Sequence, residues 1–258
     1  MRSLVVHLLK RVNLQLSRTN ERWMGLVGFV VWIPRLIPDF RTLVSKSSPA
    51  LSGDVGVSLT TLPTVFINLE GRRDRRFLVE RELLSMGILD FVRFPAIRRD
   101  NGSLGCAESH IQVLEDLASR PENLFMVCED DLVFTAKRAD LDALLSDFYH
   151  HPRLDVLCIS YRLKAPRLRV SRYLAIANGI QTTSGYIVRK SAIPVLLESF
   201  RESRDMLIAG KSKSIASIDM HWKKIQTRSL RFAIPIHRSA RQRPSYSDIA
   251  QEVKDYGD

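Results

Sequence analysis

Leu124-Phe125-Met126-Val127-Cys128-Glu129-Asp130-Asp131 is the stretch whose reading decides the fold. Five apolar residues run directly into three carboxylates, the pattern of a buried strand that ends in concentrated negative charge. A continuous apolar run bounded by polar residues suits a strand covered on both faces, as in a parallel α/β sheet. On extended backbone Glu129 and Asp131 share one side and Asp130 takes the other. Carboxylates this close oppose each other's ionisation, so the cluster calls for protonation, water or a cation. Hard oxygen donors suit Mg2+ or Mn2+, and open α/β sheets bind ligands at the carboxyl ends of their strands. The competing reading is an acidic loop whose carboxylates are solvated or cap the next helix.

Working outward, Thr64-Val65-Phe66-Ile67-Asn68-Leu69 is a second apolar run and the expected first strand. Glu70 and Gly71 turn the chain, and Arg72-Arg73-Asp74-Arg75-Arg76 opens a helix that Gly87 ends. An arginine-rich helix start behind a strand suits a phosphate. The alternative is a solvated helix face with Arg75 and Arg76 paired to Glu80 and Glu82. Residues 91–97 form a candidate second strand, and Gly102-Ser103-Leu104-Gly105 leads into a helix with Leu104, Ala107, Ile111, Leu114 and Ala118 at helical spacing. Cys106 and His110 lie four apart on it, a spacing that suits a packed thiol and a hydrogen-bonded histidine better than a metal pair. Beyond the acidic stretch come a helix near 139–149, a strand over 154–160, a basic stretch from Arg162 to Arg172, and a hydroxyl-led strand over 181–188. A helix from Ala192, a helical start at 217–222 and a strand over 230–236 complete the alternation. Alternation at this spacing over residues 64–236 is that of an α/β domain with a mostly parallel sheet.

A chain of 258 residues accommodates one large core. Its three cysteines, Cys106, Cys128 and Cys158, are an odd number, two of them within apolar runs, which argues for reduced thiols rather than a disulfide framework. A formal charge of +11 favours polyanionic surfaces or ligands. The basic residues are spread without an RNA-binding motif, so a nucleic-acid partner is not expected. Residues 1–63 read apart from the rest. The apolar run 24–33 is followed by Pro34 and Arg35 and falls short of the about twenty residues a spanning helix needs. It reads either as an interfacial element with Trp23 and Trp32 at the headgroup level on an anionic membrane, or as a helix packed on the domain.

Taken in order, several short motifs resemble glycosyltransferase family 25, the lipopolysaccharide-type β-glycosyltransferases. They are Ile67-Asn68-Leu69 with Asp74-Arg75-Arg76, Gly105-Cys106-Ala107-Glu108-Ser109-His110-Ile111, and Glu129-Asp130-Asp131. Thr183-Ser184-Gly185-Tyr186-Ile187-Val188 with Ala192, Asp219 with Trp222, and Gln242 with Ser247-Asp248-Ile249 follow. The resemblance covers about residues 64–250 and leaves 251–258 as a tail. It implies a GT-A type nucleotide-sugar-binding fold, a UDP-sugar donor (UDP-galactose or UDP-glucose), Mn2+ or Mg2+, and inversion at the anomeric carbon. The acceptor it implies is a lipopolysaccharide-type glycan or other lipid-linked sugar. A non-catalytic binding module on the same fold is the alternative.

The resemblance puts Asp131 on the metal, joined by Glu129 or Asp130, with strand alternation favouring Glu129. It puts Asn68, Arg75, Arg76, Ser109 and Asp130 on the nucleotide. Asp219 is the expected base, against the reading of a first-turn or capping acid. Thr183, Tyr186, Trp222 and Gln242 are the expected acceptor contacts, with core packing the alternative for the two aromatics. The chain ends Lys254-Asp255-Tyr256-Gly257-Asp258 with no retention tetrapeptide, and a cytoplasmic, membrane-peripheral place is expected.

Overall fold

The computed structural model describes residues 14–15, 57–226, 228–247 and 252–254. The apolar run 24–33 and the residues Asp248 and Ile249 lie outside the described residues. In chain order the elements are β1 (Leu14–Gln15), β2 (Thr64–Asn68), α1 (Arg73–Ser85), β3 (Phe91–Pro95), α2 (Gly102–Ser119) and β4 (Leu124–Glu129). Then come β5 (Leu132–Phe134), α3 (Arg138–Tyr149), β6 (Val156–Cys158), β7 (Arg167–Arg169), β8 (Leu174–Ala177) and β9 (Gly185–Arg189). After α4 (Ile193–Ile208) and the single turns α5 (Lys213–Ala216) and α6 (Ile218–His221), the chain closes with β10 (Phe232–Pro235), β11 (Ala240–Gln242), β12 (Ser245–Ser247) and β13 (Glu252–Lys254).

One sheet in the order β1-β7-β8-β10-β6-β9-β4-β2-β3 organises the molecule, with a β5–β11 ribbon and a β12–β13 hairpin beside it. Strand alternation sorts side chains to its two faces. Val65, Ile67, Phe125, Val127, Tyr186 and Val188 pack with α2 and α4, whereas Phe66, Met126, Cys128, Leu157 and Ile187 pack with α1 and α3. The result is a three-layer helix–sheet–helix stack. Leu59 and Leu62, just ahead of β2, are buried in the second of these cores. Among the described residues no helix is long and apolar enough to cross a membrane.

The expectation of a mostly parallel sheet is corrected. β2 runs parallel to β3 and β4, and β10 to β6, but β9 lies antiparallel between β4 and β6, and β8 is antiparallel to β10 and β7. The apolar runs report burial on both faces, and helices cover those faces whichever way a strand points. Residues 167–189 contain no helix to carry a parallel crossover between neighbours, and β7 and β8 simply fold back on each other.

Two local features position the site. Asn101 caps α2, its side-chain oxygen accepting from the Ser103 and Leu104 amides. Gly105, one turn in, lets the helix touch the loop after β3: a Cβ there would sit 2.3 Å from the Ile97 carbonyl oxygen. α1 ends as expected, with Gly87 at φ +70° just past its C-cap.

Candidate active site

Asn68 ends β2, Glu129 ends β4, and the segment Thr182–Ser184 leads into antiparallel β9, so all three converge on one edge of the sheet. The chain turns at Asp130 and Asp131 before β5 begins. That turn breaks the extended alternation on which the pairing of Glu129 with Asp131 rests. Each carboxylate of the triplet therefore acquires its own surroundings.

Glu129 keeps the strand's alternation and points with Phe125 and Val127 toward α2. Its Oε1 accepts from the Thr183 hydroxyl at 2.8 Å and lies 3.4 Å from His110 Nε2. Burial raises its carboxyl, and His110, Thr183 and Arg75 together outweigh that, holding it below the ordinary range. Asp130 is held by its neighbours. Asn68 Nδ2 donates to its Oδ2 at 2.8 Å and Arg75 donates to its Oδ1 at 3.0 Å. The Asn68 amide is itself oriented by Arg93, which donates to Asn68 Oδ1 at 3.0 Å, so the Asn68 NH2 must face the carboxylate. Burial still raises Asp130, with Arg75 opposing.

Asp131 is different. Gln242 Nε2 donates to its Oδ2 at 3.2 Å, and its Oδ1 is buried with no hydrogen-bond partner. Burial first, then Glu129 and Asp130, push its carboxyl up to about 8. A buried acceptor left without a donor costs about 1–3 kcal/mol, a cost that a proton, a water or a cation would each relieve. The set offers hard oxygen donors, which fits Mg2+ or Mn2+.

Gln242 reaches Asp131 because β11 pairs with β5 in the register Gln242↔Leu132. Gly185 permits this approach, since a Cβ there would meet the Leu132 side chain at 2.7 Å. Gln242 Oε1 accepts from the Thr182 hydroxyl at 3.0 Å, and the Thr182 amide lies 3.4 Å from Asp219 Oδ2. Thr182 adopts φ +74°, a left-handed conformation uncommon for a β-branched residue. Such strain persists where the surroundings impose it, and here Thr182 is tied on one side to Gln242 and on the other to Asp219. Asp131, Gln242, Thr182 and Asp219 thus form one polar chain along the site. Asp219 itself is half-buried in the first turn of α6, with Ser217 donating to its Oδ1 at 2.7 Å.

No protein-family model matches the sequence, and no curated protein matches it. Several solved structures align with it, and three of them do so at low identity. A197 from STIV is 13% identical with a TM-score of 0.38, over 76% of this chain and 100% of that one. A glycosyltransferase involved in the glycosylation of the major capsid of PBCV-1 is 12% identical with a TM-score of 0.41, over 73% of this chain and 85% of that one. Mannose-1-phosphate geranyltransferase from Thermus thermophilus is 10% identical with a TM-score of 0.36, over 70% of this chain and 74% of that one. Likeness at this level names no family for the chain and aligns no residue of its site.

The expected site residues divide. Asn68, Arg75, Glu129, Asp130, Asp131, Thr183 and Gln242 come together at the sheet edge, and Asp219 joins through Thr182. Four do not. Arg76 is half-exposed and pairs with Glu80 at 2.8 Å one turn along α1, the solvated-face arrangement. Ser109 is fully buried, accepting from the Ile97 amide at 2.8 Å and donating to the Gly105 carbonyl at 2.7 Å, so it ties α2 to the β3 loop rather than meeting a nucleotide. Tyr186 and Trp222 expose no surface and cannot offer a face to a sugar. They pack edge to face at 5.9 Å in the core, the Trp222 indole donating to the Ile180 carbonyl at 2.9 Å. Strand alternation explains Tyr186, which falls on the same inward face as Val188. Conversely, Arg93 and Thr182 belong to the site with no local pattern to announce them, and His110, which its spacing marks as a packed residue, reaches the site as well. Its place one turn from Cys106, on the helix facing Glu129, is the signal it carries.

Proposed function

We propose that the chain is a metal-dependent glycosyltransferase with a GT-A type site, resembling family 25. It moves a hexose from a UDP-sugar, UDP-galactose or UDP-glucose, to a lipopolysaccharide-type or other lipid-linked glycan with inversion. The observation that carries this reading is Asp131: a buried carboxylate with one oxygen that receives no hydrogen bond, beside Glu129 at the carboxyl end of a central strand. Glu129 and Asp131 would hold Mn2+ or Mg2+, since both Asp130 oxygens already have donors. When bound, the cation supplies positive charge to the leaving diphosphate.

The chain's own residues do the rest. Asn68 and Arg75 fix Asp130, and the Arg75 guanidinium adds positive charge near the strand end where phosphates would lie. Gln242 holds Asp131 by its Oδ2 and leaves the Oδ1 open. Asp219, partly exposed and oriented by Ser217 and the Thr182 amide, would take the proton of the acceptor hydroxyl. A partly peripheral attachment to an anionic membrane belongs to the same proposal.

The test is a panel of UDP-sugars with Mn2+ or Mg2+, read as donor turnover or slow hydrolysis with UDP release. Turnover of one hexose donor, lost in Asp131→Asn and on chelation, is the expected result. Absence of both binding and turnover across the panel, with acceptor extracts present, would overturn the reading.

A further inference from the structure

We propose that Cys106, His110 and Glu129 form a second cation site, one that selects a borderline, thiophilic divalent ion such as Zn2+ and shares Glu129 with the oxygen-donor site. The trio's ligand atoms all lie within 4.8 Å of one another, and it is the one such mixed trio among the described residues. Around a tetrahedral Zn2+ with ordinary bond lengths, ligand atoms stand roughly 3.5 Å apart. His110 Nε2 and Glu129 Oε1 are already 3.4 Å apart, and the Cys106 thiol lies within 4.8 Å of both.

The fold builds this arrangement from two elements. Cys106 and His110 sit one turn apart on α2 and so share a face, and Glu129 is the last residue of the strand that faces it. A metal-ligating histidine commonly donates its other ring N–H to a fixed acceptor, which sets the tautomer. The Tyr186 phenol oxygen is 3.1 Å from His110 Nδ1 and is held in the core, so the tautomer that ligation requires has its partner in place. Thr183 reaches both the Cys106 thiol and Glu129 Oε1. Three protein ligands leave a fourth position open, and Cys106 and Glu129 each keep some exposure through which an ion enters. On ligation the thiol releases its proton to solvent. A thiolate and an imidazole favour Zn2+ over Mg2+ or Mn2+, whereas the Asp131 side of the cluster offers only oxygen. Cys128 and Cys158 are fully buried among apolar residues and are no competitors.

The experiment uses the reduced full chain and Co2+ alone as an optical stand-in for Zn2+. One equivalent of Co2+ should produce a thiolate-to-cobalt charge-transfer band that Zn2+ then bleaches. Cys106→Ala should abolish the band and weaken Zn2+ binding at least about tenfold. Cys106→Ser keeps the volume and gives the same loss should the alanine variant fail to fold. Asp131→Asn should retain the band. No band in the wild-type chain, a band that survives loss of Cys106, or a band lost in Asp131→Asn would each overturn the proposal. The readout needs no donor turnover, so failure of the transferase reading leaves it untouched.

Discussion

Asp130 and Asp131 are chain neighbours with the same 8% exposure, and the fold treats them in opposite ways. On the β2 side, Asp130 meets a guanidinium and an amide, the amide being locked by a second arginine. On the β11 side, Asp131 meets one glutamine amide at 3.2 Å and leaves an oxygen buried and open. Both carboxyls are raised by burial, but only Asp131, without a cation of its own, is driven up to about 8. The difference separates a carboxylate that the fold uses from one that the fold reserves. The first is supplied with donors on both oxygens, whereas the second keeps one oxygen without any.

The largest effect should come from breaking the satisfied half. Asp130→Ala takes the carboxylate away from an Arg75 side chain that is 13% exposed and from the Asn68 amide. We expect a stability loss of about 3 kcal/mol, the low end for breaking a buried pair. Urea unfolding measures it directly. A loss indistinguishable from that of a surface substitution would put Asp130 in the reserved class and dissolve the contrast.

Asp131→Asn should do the reverse: donor turnover falls about 100-fold, as when a main electrostatic contact to the transition state is lost, while the metal-free fold becomes more stable. The pH dependence gives the sign. An ordinary aspartate carboxyl, the reference for the unfolded chain, lies at 3.8, and the fold pushes that of Asp131 up to about 8. Between those values the native state holds a proton that the unfolded chain has released, so metal-free stability falls as pH rises through the window. Below about 4 this contribution is fully present, and above about 8 it is gone. The Asn variant should lack that slope, and Mn2+ should flatten it in the wild type by replacing the proton. Unfolding midpoints across that range of pH, with and without Mn2+, check both. A wild type as flat as the variant would remove Asp131 from the group that needs an ion.

What the sequence made legible follows local physics. Apolar runs ending in polar residues located β2, β4 and β6, a helical repeat located α2, and a following glycine marked the end of α1. The acid triplet marked the strand end on which Asn68, Glu129 and Thr183 converge. Strand direction was not legible, because burial on both faces looks the same for either direction. Nor was the turn at Asp130 and Asp131, which redistributes the three acids among three sets of partners. Gln242 was expected as an acceptor contact, but its reach to Asp131 runs through a two-stranded ribbon whose halves lie far apart in the chain, and no local pattern encodes that register. Thr182, which donates to Gln242, carried no signal of its own. Ser109, Tyr186 and Trp222 sit in motif-like stretches but serve packing. A motif's order along the chain says nothing of which side chains face inward, whereas the alternation of β9 places Tyr186 with the core.

The smallest prediction tests that last point at Tyr186. Its ring stacks on His110 at 5.9 Å and meets Trp222 edge to face, while its hydroxyl lies 3.1 Å from His110 Nδ1. Tyr186→Phe keeps the ring and removes only the hydroxyl, leaving a buried imidazole nitrogen without its partner. The expected cost is about 1 kcal/mol of stability, with the acceptor KM unchanged because the ring has no exposed surface. An acceptor platform would behave oppositely, since an exposed phenol contributes nothing to the fold and its loss would raise KM. The same variant reaches the Cys106–His110–Glu129 trio, where losing the group that fixes the imidazole should weaken Zn2+ binding by about tenfold. A calorimetric melt, an acceptor titration and a Zn2+ titration on one protein would therefore show whether Tyr186 serves the core and the imidazole, or the sugar.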